Sequence, residues 1–347
     1  MIYYNIKKIK GEMMRLSFVL SITVVLLPIF VYAKQSYANQ LEQPQEKFFS
    51  LKEIKNADRK ELMPLEYIRA SDDTSLAFRS YLPQQAKAIL IFYHGAGAHS
   101  GLTYNHIGVG LRDEFEIGVY MPDLRGHGGS GGDRGDAPSD EQVWSDINEV
   151  VKHVRAQYPN LPIFLGGHSG GAGLVLNYSS WDQRASIDGY VFLSPYFGFR
   201  SETSYDEGKN GGYEFSTINV SDFVINTLSG GLFLGHSKAV KFNFPVSILE
   251  KNPEIVTFNT VNMSNSVTPY SPDTQLSDLQ QFGLWIGSKD EAFDPVKVTR
   301  FAEENSNKKA DKEIMIIEGE NHFSIILEAS EYIGSWITHT KHEVAIH

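Results

Sequence analysis

From about residue 61 onward, short apolar runs alternate with stretches whose apolar residues recur at helical spacing. The run 88–93, A-I-L-I-F-Y, is apolar at every position, as expected of a strand covered on both faces. Runs at 117–121, 161–165, 190–193, 283–286 and 313–317 read as further strands. Segments 65–70 and 76–81, separated by the turn-forming S-D-D-T, read as an opening hairpin. Between 140 and 158, apolar residues at 143, 144, 147, 150, 151 and 154 follow the helical period, and Ser139 stands where an N-cap belongs. Strands alternating with helices predict an α/β fold with a mostly parallel central sheet. No repeat of fixed period interrupts the pattern.

The rhythm breaks over 200–275, which is rich in Gly, Ser, Asn and aromatics, with short apolar clusters at 223–228 and 231–234. This is too long for a plain loop in a compact domain. It is expected to be an inserted cap, with Ser229-Gly230-Gly231 as a hinge and an apolar inner wall drawn from residues such as Tyr205, Tyr213, Phe215, Phe223, Phe242 and Phe244. Leu228, Leu232, Phe233 and Leu234 belong to the same expected wall.

At the other end, Lys7, Lys8, Lys10 and Arg15 precede an apolar run over 16–33 that closes on Val31-Tyr32-Ala33. A basic region, an apolar core and small residues at −3 and −1 describe a secretory signal over 1–33. The alternative is an uncleaved anchor that would hold the protein on a membrane; the run is at the short edge for a span, and Pro28 near its end fits a cleavage region better. A start at Met13 or Met14 is the alternative and would give a more compact signal. Residues 34–60, rich in Gln, Lys, Glu and Asn, read as a polar leader, and 341–347 as a tail. The core is expected over 61–199 and 276–340.

Composition narrows the chemistry. The chain of 347 residues has no Cys, which removes thiol nucleophiles, disulfides and cysteine metal sites. Its net charge of −11 speaks against electrostatically driven nucleic-acid binding. There is no G-K-[ST] after a Gly-rich loop and no H-E-x-x-H, so neither a phosphate cradle nor that zinc site is expected, and no cofactor is implied. His339, His342 and His347 near the C-terminus read as a polar tail, not a metal site, and Arg134-Gly135-Asp136 as part of a Gly-rich turn, not an adhesion motif.

Two stretches match G-x-S-x-G, one centred on Ser130 and one on Ser169. A serine nucleophile needs a tight strand-to-helix turn that lifts its hydroxyl above the sheet. Gly167-His168-Ser169-Gly170-Gly171 follows the strand at 161–165 and precedes the helix-compatible A-G-L-V-L-N-Y; the stretch around Ser130 has neither neighbour. Ser169 is therefore the expected nucleophile. The N–H of Gly170, opening the helix, would face a developing oxyanion. A second N–H is expected from Ala96 in the loop His94-Gly95-Ala96-Gly97 that follows the strand 88–93.

A serine hydroxyl needs a histidine base, and the base needs a carboxylate to fix its tautomer. In this topology the chain order is Ser, then acid, then His, on loops after later strands. Asp290 lies just past the strand at 283–286 and is the expected acid, with Glu291 a weaker rival and Asp294, before Pro295, the cap of the next helix. His322 follows the strand at 313–317 and is the expected base. His94, His99, His127 and His168 break that order.

With these residues in place the chain resembles the α/β-hydrolase superfamily, and within it the monoacylglycerol lipase and lysophospholipase group, which overlaps with serine aminopeptidase-like hydrolases. The resemblance lies in H-G-A-G-A-H-S-G at 94–101, D-L-R-G-H-G-G-S at 123–130, the elbow at 167–171, the acid loop at 287–295 and Asn321-His322. It runs from about 65 to 338 and weakens through 200–275. It departs from the group's pattern in having Gly171 after Gly170, where larger residues are frequent. The resemblance implies the α/β-hydrolase fold with helices on both faces of the sheet, and a serine hydrolase of monoacylglycerol or lysophospholipid esters; the signal over 1–33 adds the expectation that it is secreted or periplasmic. An aminopeptidase or amidase using the same triad is the alternative, with Asp206, Glu207 and Glu214 as an acidic subsite for an amino terminus. A non-catalytic binding protein on the same fold is a third.

Overall fold

The computed structural model describes residues 52–206 and 215–344, within a compact unit over 48–347. The expected signal, most of the leader, Glu207, Tyr213, Glu214 and the last three residues lie outside the described residues, as does the side chain of His342. The elements in chain order are α1 (Lys52–Asn56), β1 (Glu66–Arg69), β2 (Ser75–Tyr81), β3 (Ala88–Tyr93), α2 (Asn105–Phe115), β4 (Ile117–Pro122), α3 (Asp140–Gln157), β5 (Ile163–His168), α4 (Gly170–Ser179) and β6 (Gly189–Leu193). An insertion then carries β7 (Ser216–Ile218), α5 (Val220–Leu228), β8 (Val240–Phe242), α6 (Val246–Leu249) and β9 (Phe258–Asn259). The chain closes with α7 (Val261–Val267), α8 (Pro272–Ser277), β10 (Gln281–Gly287), α9 (Pro295–Asn305), β11 (Asp311–Ile317) and α10 (Ile325–Val344).

Eight strands form one sheet in the order β1-β2-β4-β3-β5-β6-β10-β11. The pairs β1/β2 and β2/β4 are antiparallel, and every later pair is parallel. Period-2 alternation splits each central strand between two cores. Ile89, Ile91 and Tyr93 face Val143, Ile147 and Val151 of α3 and Leu174 of α4. Ala88, Leu90 and Phe92 face Ile107 and Leu111 of α2 and Ile326, Ile333 and Ile337 of α10. Helices thus cover both faces, which is why the strands read as unbroken apolar runs.

Local expectations and structure agree where the signal is chemical. Ser139 caps α3, its side chain accepting from Gln142 N at 3.1 Å. Asp294 caps α9, accepting from Val296 N and Lys297 N, with Pro295 in the first turn. They differ at several places. The strand expected at 161–165 is β5, running to His168, because Gly167 and His168 pair with Tyr93 and with Phe192 and Leu193 of the neighbouring strands. Helix α2 has no clear helical signal, since Gly108 and Gly110 weaken it. Those glycines are packing choices: a Cβ on Gly108 would stand 2.5 Å from the Tyr81 ring, and one on Gly110 2.3 Å from Ser330 Oγ of α10.

The third difference concerns the insertion and the leader. Residues 261–275 were expected in the cap, yet Met263 and Val267 are buried in the core shared with the sheet. At the leader, Asn105 Nδ2 donates to the carbonyls of Lys60 and Glu61, and Arg112 pairs with Glu61 at 2.8 Å, so the chain is fastened to the domain before β1 begins. Helix α10 also continues to Val344, past the expected start of the tail. Among the described residues no helix is long and apolar enough to cross a membrane.

Candidate active site

The C-terminal ends of the parallel strands hold the site. β5 delivers its chain into a turn at Ser169, whose φ of 53° and ψ of −119° depart from any regular element, and α4 starts at the next residue. The turn closes because small residues tolerate it. A Cβ on Gly171 would lie 2.5 Å from His94 O and 2.6 Å from Tyr93 O, so no larger residue fits there. At Gly170 the nearest atom to such a Cβ is Ala96 N at 3.4 Å, ordinary contact. At this elbow the room for a side chain therefore lies at 170 and not at 171.

Ser169, Asp290 and His322 converge from three loops. His322 Nε2 lies 3.1 Å from Ser169 Oγ, and His322 Nδ1 lies 2.8 Å from Asp290 Oδ2. A carboxylate only accepts, so Nδ1 carries the proton and Nε2 presents its lone pair to the serine hydroxyl. The other oxygen of Asp290 accepts from Ala292 N at 2.8 Å and Phe293 N at 2.9 Å, which fixes the carboxylate plane. Tyr205 donates its hydroxyl to the Asp290 carbonyl at 2.6 Å. Glu291, the rival acid, accepts instead from the backbone N–H of His322 at 3.1 Å.

Ser130 is not part of this constellation. Its hydroxyl donates to Asp123 O at 2.7 Å and accepts from Ala77 N at 2.8 Å, pinning the 123–130 turn to β2. Asp123 accepts from Ser100 N and Gly129 N. Arg134-Gly135-Asp136 fastens the insertion: Asp136 accepts from the Thr260 hydroxyl at 2.6 Å and lies 2.7 Å from His236 Nδ1.

Gly170, as the first residue of α4, has an N–H without an intrahelical partner. The Ala96 N–H makes no backbone hydrogen bond among the described residues. Gly170 and Ala96 are neighbours, and Ala96 lines the cavity beside Ser169.

His168, which chain order set aside as the base, and Tyr104 bind the parts together. The Gly95 N–H donates to Tyr104 Oη at 2.9 Å, and Tyr104 Oη lies 2.9 Å from His168 Nδ1. His168 Nε2 lies 2.9 Å from the His322 carbonyl, which can only accept, so Nε2 carries the proton and Tyr104 donates to Nδ1. Burial, and after it the proximity of His322, hold His168 well below the usual histidine range. It stays neutral and does not compete with His322 for a proton. Burial likewise raises the Tyr104 phenol. The sequence signal for this pair was thin: a histidine beside the serine and a tyrosine ten residues past His94.

Ser169 opens into a cavity of about 150 Å³ whose walls are overwhelmingly apolar. The core contributes Ala98, Leu102, Phe323 and Ile326, and the insertion Phe215, Phe244 and Ile248. Phe215, Phe242 and Phe244 form one aromatic cluster with ring centroids 5.2–6.2 Å apart. The expected inner wall is thus real only in part: Leu228, Leu232 and Phe233 are exposed at 83%, 81% and 64%. Gly230 and Gly231 of the expected hinge adopt positive φ with open space around them. Among the described residues no carboxylate lines the cavity. Asp206 is paired with Lys297 at 2.6 Å. No group of three or more His, Asp or Glu that could hold a metal occurs among the described residues.

The family model of serine aminopeptidase, S33, matches residues 84–212, from just before β3 into the insertion. An abhydrolase domain-containing protein of Dictyostelium discoideum is 34% identical over 36% of the chain and 13% of its own length. The monoglyceride lipase of Rattus norvegicus is 33% identical over 38% of the chain and 43% of its own. The chain therefore spans less than half the length of these curated relatives. A monoglyceride lipase structure from Saccharomyces cerevisiae superposes with a TM-score of 0.59 at 15% identity, covering 80% of this chain and 96% of that one. With the sheet order, the elbow and the matched motifs together, the chain has the α/β-hydrolase fold and is similar to the monoglyceride lipase group.

Proposed function

We propose that the protein is a serine hydrolase of carboxylic esters, acting on substrates of the monoacylglycerol or lysophospholipid kind. One observation carries this: the Ser169–His322–Asp290 relay, at 3.1 and 2.8 Å, stands on the floor of an apolar cavity. In the proposed reaction His322 Nε2 takes the Ser169 proton as Oγ attacks the carbonyl carbon. Asp290 holds the imidazole and stabilises its charged form. The N–H groups of Ala96 and Gly170 receive the oxyanion; a donor of this kind is typically worth about 10²–10³ in rate. His322 then protonates the leaving alcohol, and water repeats the sequence on the acyl-enzyme.

A cavity of this size admits a group of about six carbons and stays dry when apolar. Each buried methylene is worth about 0.8 kcal/mol. We therefore expect kcat/KM to rise with acyl length from two to about eight carbons. An aminopeptidase needs a carboxylate near the scissile bond to grip the free amine, and the cavity wall offers none among the described residues. The proposal includes export directed by residues 1–33, which the mass of the mature N-terminus would check.

The test is nitrophenyl ester hydrolysis by the wild type and by Ser169→Ala, with fluorophosphonate labelling beside it. Loss of both activity and label in Ser169→Ala is expected. Activity surviving in that variant would remove Ser169 from the mechanism, and a wild type that never labels would favour a binding protein. A profile that peaks at acetyl would defeat the lipid substrates and leave the triad standing.

A further inference from the structure

We propose that α1, in the segment before the hydrolase core, is a wall of the acyl pocket and that Ile54 is a specificity-determining residue for chain length. This rests on the acyl-ester reading above and goes beyond it, since α1 lies outside the matched family region of 84–212. Two observations on different residues carry it. Ile54 is half-buried and lines the same cavity as Ser169 and His322. Next to it, Glu53 accepts from Asn321 Nδ2 at 3.2 Å. Asn321 is the residue before His322, and its side-chain oxygen accepts from Phe323 N at 3.0 Å and Ser324 N at 2.8 Å. The amide orientation is thereby set: its oxygen shapes the histidine turn and its NH₂ is aimed at α1.

The helix is thus clasped to the loop that carries His322, and the clasp places an aliphatic side chain in an otherwise core-and-insertion wall. The chain beyond α1 is fastened as well, by Asn105 to Lys60 and Glu61 and by Arg79 to the Met63 carbonyl. A helix of five residues has little stability of its own. Its position depends on these contacts and on the apolar surface Ile54 covers. The cavity of about 150 Å³ is too small for a long acyl chain. The side chain at 54 therefore helps to decide where a chain of six to eight carbons must stop.

The experiment measures kcat/KM for nitrophenyl esters of two to sixteen carbons in the wild type, Ile54→Ala and Ile54→Trp. Binding of free fatty acids of the same lengths is measured by calorimetry on each of these in the Ser169→Ala background. Ile54→Ala should move the length at which the rise stops to longer chains by about two carbons, and Ile54→Trp to shorter ones. At about fourfold per buried methylene, the ratio of dodecanoyl to butanoyl rate should fall at least tenfold in Ile54→Trp. Fluorophosphonate labelling of Ser169 should stay intact in both variants. Length profiles and fatty-acid affinities unchanged in both variants would overturn the proposal and leave the esterase reading in place. If the wild type hydrolyses no ester, that reading fails, and the dependence of fatty-acid binding on residue 54 decides the role of α1 alone.

Discussion

Replacing Tyr104 with phenylalanine deletes a single oxygen that two other groups depend on. In the native protein that oxygen accepts the Gly95 N–H at 2.9 Å and donates to His168 Nδ1 at 2.9 Å. Tyr104 is 2% exposed and His168 fully buried, so water cannot replace the lost contacts cheaply. An orphaned buried donor or acceptor costs about 1–3 kcal/mol, and two of them cost about 4 kcal/mol together. The packing of the ring against Phe92 and His168 is retained, so the loss is polar and not a cavity effect. Urea unfolding followed by tryptophan fluorescence should show a lower midpoint at unchanged slope. The same change loosens the loop that carries the Ala96 N–H, and kcat should drop about tenfold while KM moves little, a fraction of the about 10²–10³ expected for full loss of an oxyanion donor. A stability loss under about 1 kcal/mol with kcat untouched would refute the reasoning. It would mean that the loop and His168 are held in place without the phenol.

Three further outcomes follow from the same contacts. Gly171→Ala should destabilise the fold by about 3 kcal/mol or more, because the new Cβ meets backbone oxygens that cannot withdraw, whereas Gly170→Ala should cost about 1 kcal/mol or less; a urea series on both checks it. Arg125→Met should cost about 3–5 kcal/mol, since it strips the pair at 2.7 Å from the buried Asp146, and the double variant Arg125→Met/Asp146→Leu should recover most of it. Stability should also fall on mild acidification. Burial holds His94 down at about 4 and His127 at about 3, below the ordinary histidine value. The unfolded chain therefore takes protons first as pH drops below about 6.5, and stability present above that value is lost toward the folded values, at up to about 1.4 kcal/mol per pH unit for each group. Urea midpoints at pH 7, 6 and 5 should show this slope, and His127→Gln should reduce it.

Much of the molecule was legible in the sequence because its signals are local. A strand covered on both faces must be apolar throughout, so the runs at 88–93 and 117–121 announced themselves. The cap residues Ser139 and Asp294 act on N–H groups within three residues of themselves. The candidate nucleophile, acid and base each sit just past a strand, and strand ends are marked by where the apolar run stops. Long-range packing left no such trace. Gly108 and Gly110 argue against a helix until the Tyr81 ring and Ser330, far away in the chain, require them. Whether position 170 or 171 has room depends on the carbonyls of the neighbouring strand at 93 and 94, which no pattern around the elbow reveals. The joining of Gly95, Tyr104, His168 and His322 crosses four separate segments. So does the arrival of Ile54 at the Ser169 cavity from a stretch whose composition reads as polar leader. The sequence determined which short segments become strands, helices and reactive turns, because neighbours along the chain set those. Only the tertiary structure decided which distant groups share a wall or a hydrogen bond, because that depends on contact distances of a few ångström created by the packed fold.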